Sequence, residues 1–253
     1  MLNRCYISLL FVFFATKAVA QEHFSVADIP QALKVRANAV IRNQQWVVDM
    51  RSANDVVLRV KQVLTVFNSV GHERARLAIL YDKSTQIKSV NGIIQDQDGN
   101  LIKKISLKDF SDESAVSSFS LFEDNRVKHF LPNVSQYPFT VIYDYELKLK
   151  QNLVIPDWVP NLYPDLSVEQ SSYTLLYGRG EAVNIKEVNF DGKRLDEEND
   201  KQKKHTWEVH RLLARKKEPF SPPNERQQIR IKVAPEKFYY YGKKGNYTNW
   251  QDR

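Results

Sequence analysis

Along most of the chain apolar and polar positions alternate with the two-residue period of a β-strand rather than the 3.6-residue period of a helix. In Val56 to Phe67, Leu58, Val60, Leu64 and Val66 share one face, interrupted by Gln62. Phe139 to Leu149 is the cleanest strand: Val141, Tyr143, Tyr145 and Leu147 alternate with the more polar Thr140, Ile142, Asp144 and Glu146. Leu77 to Tyr81, Ile87 to Gln95, Leu101 to Ile105 and Val127 to Phe130 read as further strands. So do Val168 to Tyr177, Ala182 to Phe190, Thr206 to Leu213 and Gln228 to Val233. Ala32 to Trp46 stays open between helix and strand, because Ala37, Val40 and Ile41 have near-helical spacing while Val47 and Val48 favour strand.

Turn chemistry punctuates this pattern. Asp98-Gly99-Asn100 signals a hairpin, and Asn68 to Gly71 a turn. Lys108 to Ser120 and Asp196 to Lys204, both rich in charge, read as loops. Pro156, Pro160 and Pro164 around Trp158 and Tyr163 read as a rigid linker or corner. Short strands without a long amphipathic helix predict an all-β, antiparallel sandwich. The expected organisation is a first β-sandwich portion over 21–151, the Pro-rich segment at 152–165, a second β-rich portion over 166–236 and an aromatic tail at 237–253.

The first 20 residues read differently. Arg4 precedes the apolar run Ile7 to Ala15, and Ala18-Val19-Ala20 has the small residues that signal peptidase needs. The run is too short to span a bilayer, which takes about 20 apolar residues. The expectation is a signal peptide over 1–20, cut between Ala20 and Gln21, and export to the periplasm or the exterior. No second long apolar run follows, so no transmembrane segment is expected. Cys5, the chain's one cysteine, lies in the segment to be removed, so a disulfide scaffold is excluded and the mature chain would carry no thiol. Loss of Arg4 and Lys17 takes the formal net charge from +7 to +5.

Candidate chemistry is sparse. No cysteine nucleophile and no G-x-S-x-G elbow is present in the mature sequence. Gly178-Arg179-Gly180 opens like a dinucleotide fingerprint, but Val183 stands where the third glycine belongs and a strand follows, which makes it a hairpin turn. Asp96 to Asn100 resembles a calcium loop until Gly99 is set in sixth place. The first and twelfth ligands would then be Ile94 and Ile105, which cannot coordinate. His205 and His210, five apart in a strand, point to opposite faces and share no metal. Glu123-Asp124-Asn125-Arg126 reads as a polar turn with an arginine–carboxylate pair. No catalytic, cofactor or metal residue is assigned, so the expectation is a protein that is not an enzyme. Lysine-rich runs such as Lys201 to Lys204 read as solvated faces, and export argues against a nucleic-acid partner.

An ordered set of segments carries a resemblance. Ile29-Pro30, Ala37 to Val40, Thr65 to Asn68, Asp98-Gly99 followed by Lys103-Lys104, and Asp124 to Val127 come first. Tyr137 to Glu146, Trp158-Val159-Pro160, Ser167 to Glu169 and Ala234 to Phe238 continue in the same order. From Ile29 to Trp250 the chain resembles the bacterial exported family called domain of unknown function 3857. The resemblance implies an immunoglobulin-like β-sandwich that usually lies upstream of a transglutaminase-like core with a Cys-His-Asp triad. No cysteine is available here to take the nucleophile's role, so no catalytic residue carries over.

The functional expectation is a non-catalytic exported domain that positions or recognises a protein or peptide partner, with a transglutaminase-like core as the partner the resemblance implies. Tyr247 and Trp250 in the aromatic tail are the candidate docking residues. One alternative is the N-terminal fragment of a transglutaminase-like peptidase. Another is a glycan-binding sandwich using Trp158, Tyr163 or Tyr247.

Overall fold

A computed structural model describes residues 22–115, 124–216, 223 and 226–247. A single helical turn, α1 (Gln31–Lys34), precedes the strands. In chain order these are β1 (Ala39–Ser52), β2 (Asp55–Val66), β3 (Leu77–Tyr81), β4 (Thr85–Gln95), β5 (Leu101–Ser106), β6 (Ser111–Ser114), β7 (Arg126–Phe130) and β8 (Phe139–Leu149). After the Pro-rich segment come β9 (Leu166–Gly178), β10 (Val183–Val188), β11 (Lys193–Glu198), β12 (Gln202–Leu212), β13 (Arg230–Pro235), β14 (Lys237–Tyr240) and β15 (Lys243–Asn246). The all-β, sandwich-like expectation holds.

The main layer is one eight-stranded sheet in the order β11-β12-β9-β1-β2-β8-β4-β5. Every pairing in it is antiparallel except β1–β9, which is parallel. Strands from both sides of the Pro-rich segment therefore share this sheet. Its inner face is covered by two smaller sheets, β10–β13 and β3-β7-β6. Ile231 and Val233 of the former, and Ile79 and Phe130 of the latter, join the same core as Val60, Leu64, Val141 and Leu175 of the large sheet. Residues 22–35 lie against the other face, where Ile29 and Leu33 pack on Val40 and Gln95 bonds to the backbone of Glu22 and Phe24.

The side-chain alternation places one aromatic rung on the inner face. Trp207, Tyr173, Trp46, Val60 and Tyr145 lie opposite one another across five neighbouring strands. The adjacent rung is polar. Trp158, fully buried in the Pro-rich segment, donates Nε1–H to Ser171 Oγ at 3.0 Å, and Ser171 donates to Gln44 Oε1 at 2.8 Å. Gln44 Nε2 then donates to Gln62 Oε1 at 2.9 Å. Buried polar atoms cost free energy unless paired, so this string ties the Pro-rich segment to β9, β1 and β2 in a fixed register.

Two segments that look like loops in the sequence hold strands. β6 lies inside Lys108 to Ser120, and Asp196 to Lys204 takes in the second half of β11 and the start of β12. Both β6 and β11 are exposed along their whole length, so they have no apolar face to betray them. Ala32 to Trp46 resolves into α1 followed by β1. The Gly178-Arg179-Gly180 turn is real, with Glu181 N–H on Gly178 O at 2.9 Å, but it leads β9 out of the large sheet into β10 rather than into a hairpin.

Candidate docking site at the C-terminal aromatic hairpin

Strands β14 and β15 form a hairpin, Lys237 to Tyr240 pairing with Lys243 to Asn246. The two residues between them, Tyr241 and Gly242, have φ of 45° and 82°, the sign that a type I′ turn requires at both central positions. Glycine takes this conformation freely, whereas a tyrosine does so at a cost of order 1 kcal/mol. A hydrogen bond holds it there: the Tyr241 hydroxyl donates to Asp82 Oδ2 in the β3–β4 loop.

The hairpin is also gripped at its base. Asn152, 5% exposed, donates Nδ2–H to Lys237 O at 3.0 Å and accepts from Tyr239 N–H at 2.8 Å. Its own N–H bonds Tyr239 O at 3.3 Å. Asn152 thus acts as one more strand residue, made from side chain and backbone together. Phe238 lies across Gly245 and meets the ring of Tyr247 at 4.7 Å. Outward, Tyr240 and Tyr241 are 37% and 51% exposed, their rings 4.6 Å apart edge to face, with Lys243 and Lys244 beside them in sequence.

Asp82 links this tip to a shallow groove of about 410 Å³, whose walls include Tyr81, Asp82, Ile87, Leu107 and Lys128. Burial works to raise the Asp82 carboxyl, but hydrogen bonds from Tyr241, Ser84 and Thr85 outweigh it and leave the group below the usual carboxylate value. The bond to Asp82 in turn pushes the Tyr241 phenol up to about 12. Asp112, hydrogen-bonded by Lys128 first and then by Tyr81 and Arg126, is held down to about 2. The groove therefore sets apolar Ile87 and Leu107 beside the charged Asp82 and Lys128, with Asp112 bonded to two of its lining residues, Tyr81 and Lys128.

Of the docking residues expected from sequence, Tyr247 is half-buried against Phe238 and belongs to the hairpin, while Trp250 lies outside the described residues. Ala20 and Gln21 at the expected cleavage point also lie outside them. Tyr240 and Tyr241 are better placed than Tyr247. The sequence signal for them is the Tyr-Gly pair at a hairpin turn. Among the glycan-stacking aromatics, Trp158 is 0% exposed and has no free face, which corrects that expectation. Tyr163 carries the Arg74 guanidinium at 3.8 Å over its ring. Glu123 lies outside the described residues; Arg126 pairs with Asp112, and Asp124 with Lys83.

One arrangement resembles a proton relay: Tyr177 OH lies 2.8 Å from His205 Nε2, and His205 Nδ1 lies 2.6 Å from Asp196. Burial pushes the Tyr177 phenol up, the opposite of what activates a nucleophile. The trio fastens β9, β12 and β11 together. His210 sits on the other face of β12, opposite Gln170.

Residues 52–216, most of the chain, match the family described as a domain of unknown function with a solved structure, DUF3857. The chain belongs to this family. This DUF3857 chain shares its fold with a candidate protease of Parabacteroides distasonis, at 15% identity and a TM-score of 0.66. The match covers 81% of this chain and 41% of that one, so the chain spans under half of the longer protein. Legionella pneumophila aminopeptidase A, solved with aspartic acid, is similar at 10% identity and a TM-score of 0.39, covering 86% of this chain and 23% of that one. An M1 zinc metallopeptidase of Deinococcus radiodurans is similar at 8% identity and a TM-score of 0.35, covering 78% and 42%. No curated protein matches the sequence.

Proposed function

We propose that this DUF3857 chain is a non-catalytic recognition module that presents the hairpin tip and the adjoining groove to a protein or peptide partner. The observation that carries the reading is the Tyr241–Asp82 bond, because it joins an exposed aromatic tip to a groove wall and holds both in one surface. Rigid aromatic side chains flanked by lysines suit a partner surface with apolar and acidic groups, and aromatic residues dominate interface energetics. The partner in this reading is a transglutaminase-like core, and the setting is the periplasm or exterior after cleavage behind Ala20.

Titration of a separately produced transglutaminase-like core into the chain tests the reading. Binding that falls at least tenfold in a Tyr240→Ser/Tyr241→Ser double variant of unchanged circular dichroism is the expected result. Equal binding by variant and parent overturns it. Intact-mass measurement of exported protein checks the cleavage, since retained residues 1–20 would refute it. A second reading, a region of a longer peptidase, draws on the fold match to 41% of a candidate protease. Reading the coding sequence beyond codon 253 for Cys, His and Asp in transglutaminase-like order separates the two. Peptide hydrolysis by the chain alone, sensitive to iodoacetamide, would refute the non-catalytic reading.

A further inference from the structure

The eight-stranded sheet has two edges, β5 and β11, and they are built differently. An open edge offers unpaired N–H and C=O groups to any extended chain, and proteins blunt such edges with bulges, prolines or like charges. β5 reads Leu101-Ile102-Lys103-Lys104-Ile105-Ser106. A two-fold axis centred on either lysine sets that lysine against its own copy, and no axis on β5 opposes unlike charges, because its only charged residues are lysines.

β11 reads Lys193-Arg194-Leu195-Asp196-Glu197-Glu198, is six residues long, and pairs with β12 in continuous register without bulge or proline. Among the described residues no strand pairs with its other side. A two-fold axis normal to the sheet keeps each face on its own side, and directly opposed residues in an antiparallel pair share a face. The axis must therefore pass through one residue and its own copy. Centred on Leu195, it opposes Lys193 to Glu197 on one face and Arg194 to Asp196 on the other, each twice, around a central Leu195–Leu195 contact. Leu195 is 42% exposed in the single chain. Opposite charges at the four positions that flank Leu195 directly are what cross-strand pairing rewards; Glu198 faces Gly192.

We propose that β11 is a self-complementary edge through which two copies of this chain join their sheets in a two-fold dimer. The occupant is a second copy because the charge sequence complements its own reverse. The interface is small, so the dimer forms in the micromolar range or weaker and loosens with added salt. It does not depend on the hairpin–groove surface.

Sedimentation equilibrium of the parent chain across a concentration series should show a monomer–dimer equilibrium. Lys193→Glu/Arg194→Glu makes all four residues flanking Leu195 acidic, and Asp196→Lys/Glu197→Lys makes all four basic. Each should be monomeric alone, and an equimolar mixture should form the heterodimer. Because Arg194 also touches Glu187, Trp207 and Asp196, Asp196 also bonds His205, and Glu197 pairs with Lys204, a second measurement leaves these charges in place. In a Cys5→Ser background, Leu195→Cys should oxidise to a disulfide-linked dimer, since directly opposed Cβ atoms lie within reach of one bond. Leu213→Cys, exposed but off the edge, should stay monomeric. A parent that is monomeric throughout overturns the proposal, as does a dimer that survives both charge variants without cross-linking at position 195.

Discussion

Replacing Asn152 with alanine should free the C-terminal hairpin while the sandwich stays folded. The side chain makes two hydrogen bonds to β14, at 3.0 and 2.8 Å, and is almost completely buried. A typical bond of this kind contributes about 1 kcal/mol, and a partner left buried and unpaired adds to the loss, so the hairpin should weaken by about 2–3 kcal/mol. At 1.4 kcal/mol per factor of ten, its open state gains roughly 30- to 150-fold in population. The backbone bond from Asn152 N–H to Tyr239 O and the Tyr241–Asp82 contact survive, which is why the effect should stay local. Amide hydrogen exchange read by mass spectrometry is the direct assay: segments containing 237–247 should exchange faster by about that factor, and segments of β1, β2 and β8 should not. Tryptic cleavage at Lys243 and Lys244 should accelerate in parallel, since cleavage follows the open population when reclosing is fast. Unchanged exchange in the hairpin, or an equal acceleration in β2 and β8, would refute the reasoning.

The docking of the tip should also depend on pH at both extremes. Asp82 is held below the usual carboxylate value, so its contribution is full above about 4 and lost as pH falls through its folded value; the Tyr241 contribution is full below about 10 and lost as pH rises through about 12. Tyrosinate absorbance titration and exchange of the hairpin at acid pH check the two limbs. Trp158→Ala should cost about 3–5 kcal/mol in urea denaturation, because a fully buried ring and the donor to Ser171 go together. Gly71→Ala should cost about 1–3 kcal/mol by the same measurement, since a Cβ there would sit 2.2 Å from Asn38 O; an unchanged midpoint would show that the loop simply gives way.

Strands with one buried face could be read from the sequence almost to the residue. Leu77–Tyr81 and Phe139–Leu149 coincide with β3 and β8: Leu77 and Ile79 of β3 turn to the core while Leu80 stays exposed, and β8 buries Val141, Tyr143 and Leu147. Gln62, which interrupts the apolar face of β2, marks the rung where Gln44, Ser171 and Trp158 exchange hydrogen bonds. That partnership was out of reach of any local pattern, since Ser171 and Gln44 are 127 residues apart. β6 and β11 escaped for a different reason: pairing alone, without burial, keeps them extended. At the candidate site the aromatic tail was legible as a feature. Which tyrosine would be exposed depended on Asn152 and Asp82, residues far off in the chain that carry no mark of their role.

The parallel β1–β9 pairing imposes an order of events on a chain made from its N-terminus. β1 can pair with β2 as soon as the tight turn between them is synthesised, yet its other side waits for Leu166–Gly178. Until then a fourteen-residue strand carries an open edge, with Val40, Ile41, Val47 and Val48 beside it. Contacts so distant in sequence form slowly, and a long unpaired edge is the part of a nascent chain most prone to pair with the wrong neighbour. Truncations ending before residue 166 should therefore aggregate where the longer chain does not, which makes β9 the strand that closes the window of risk.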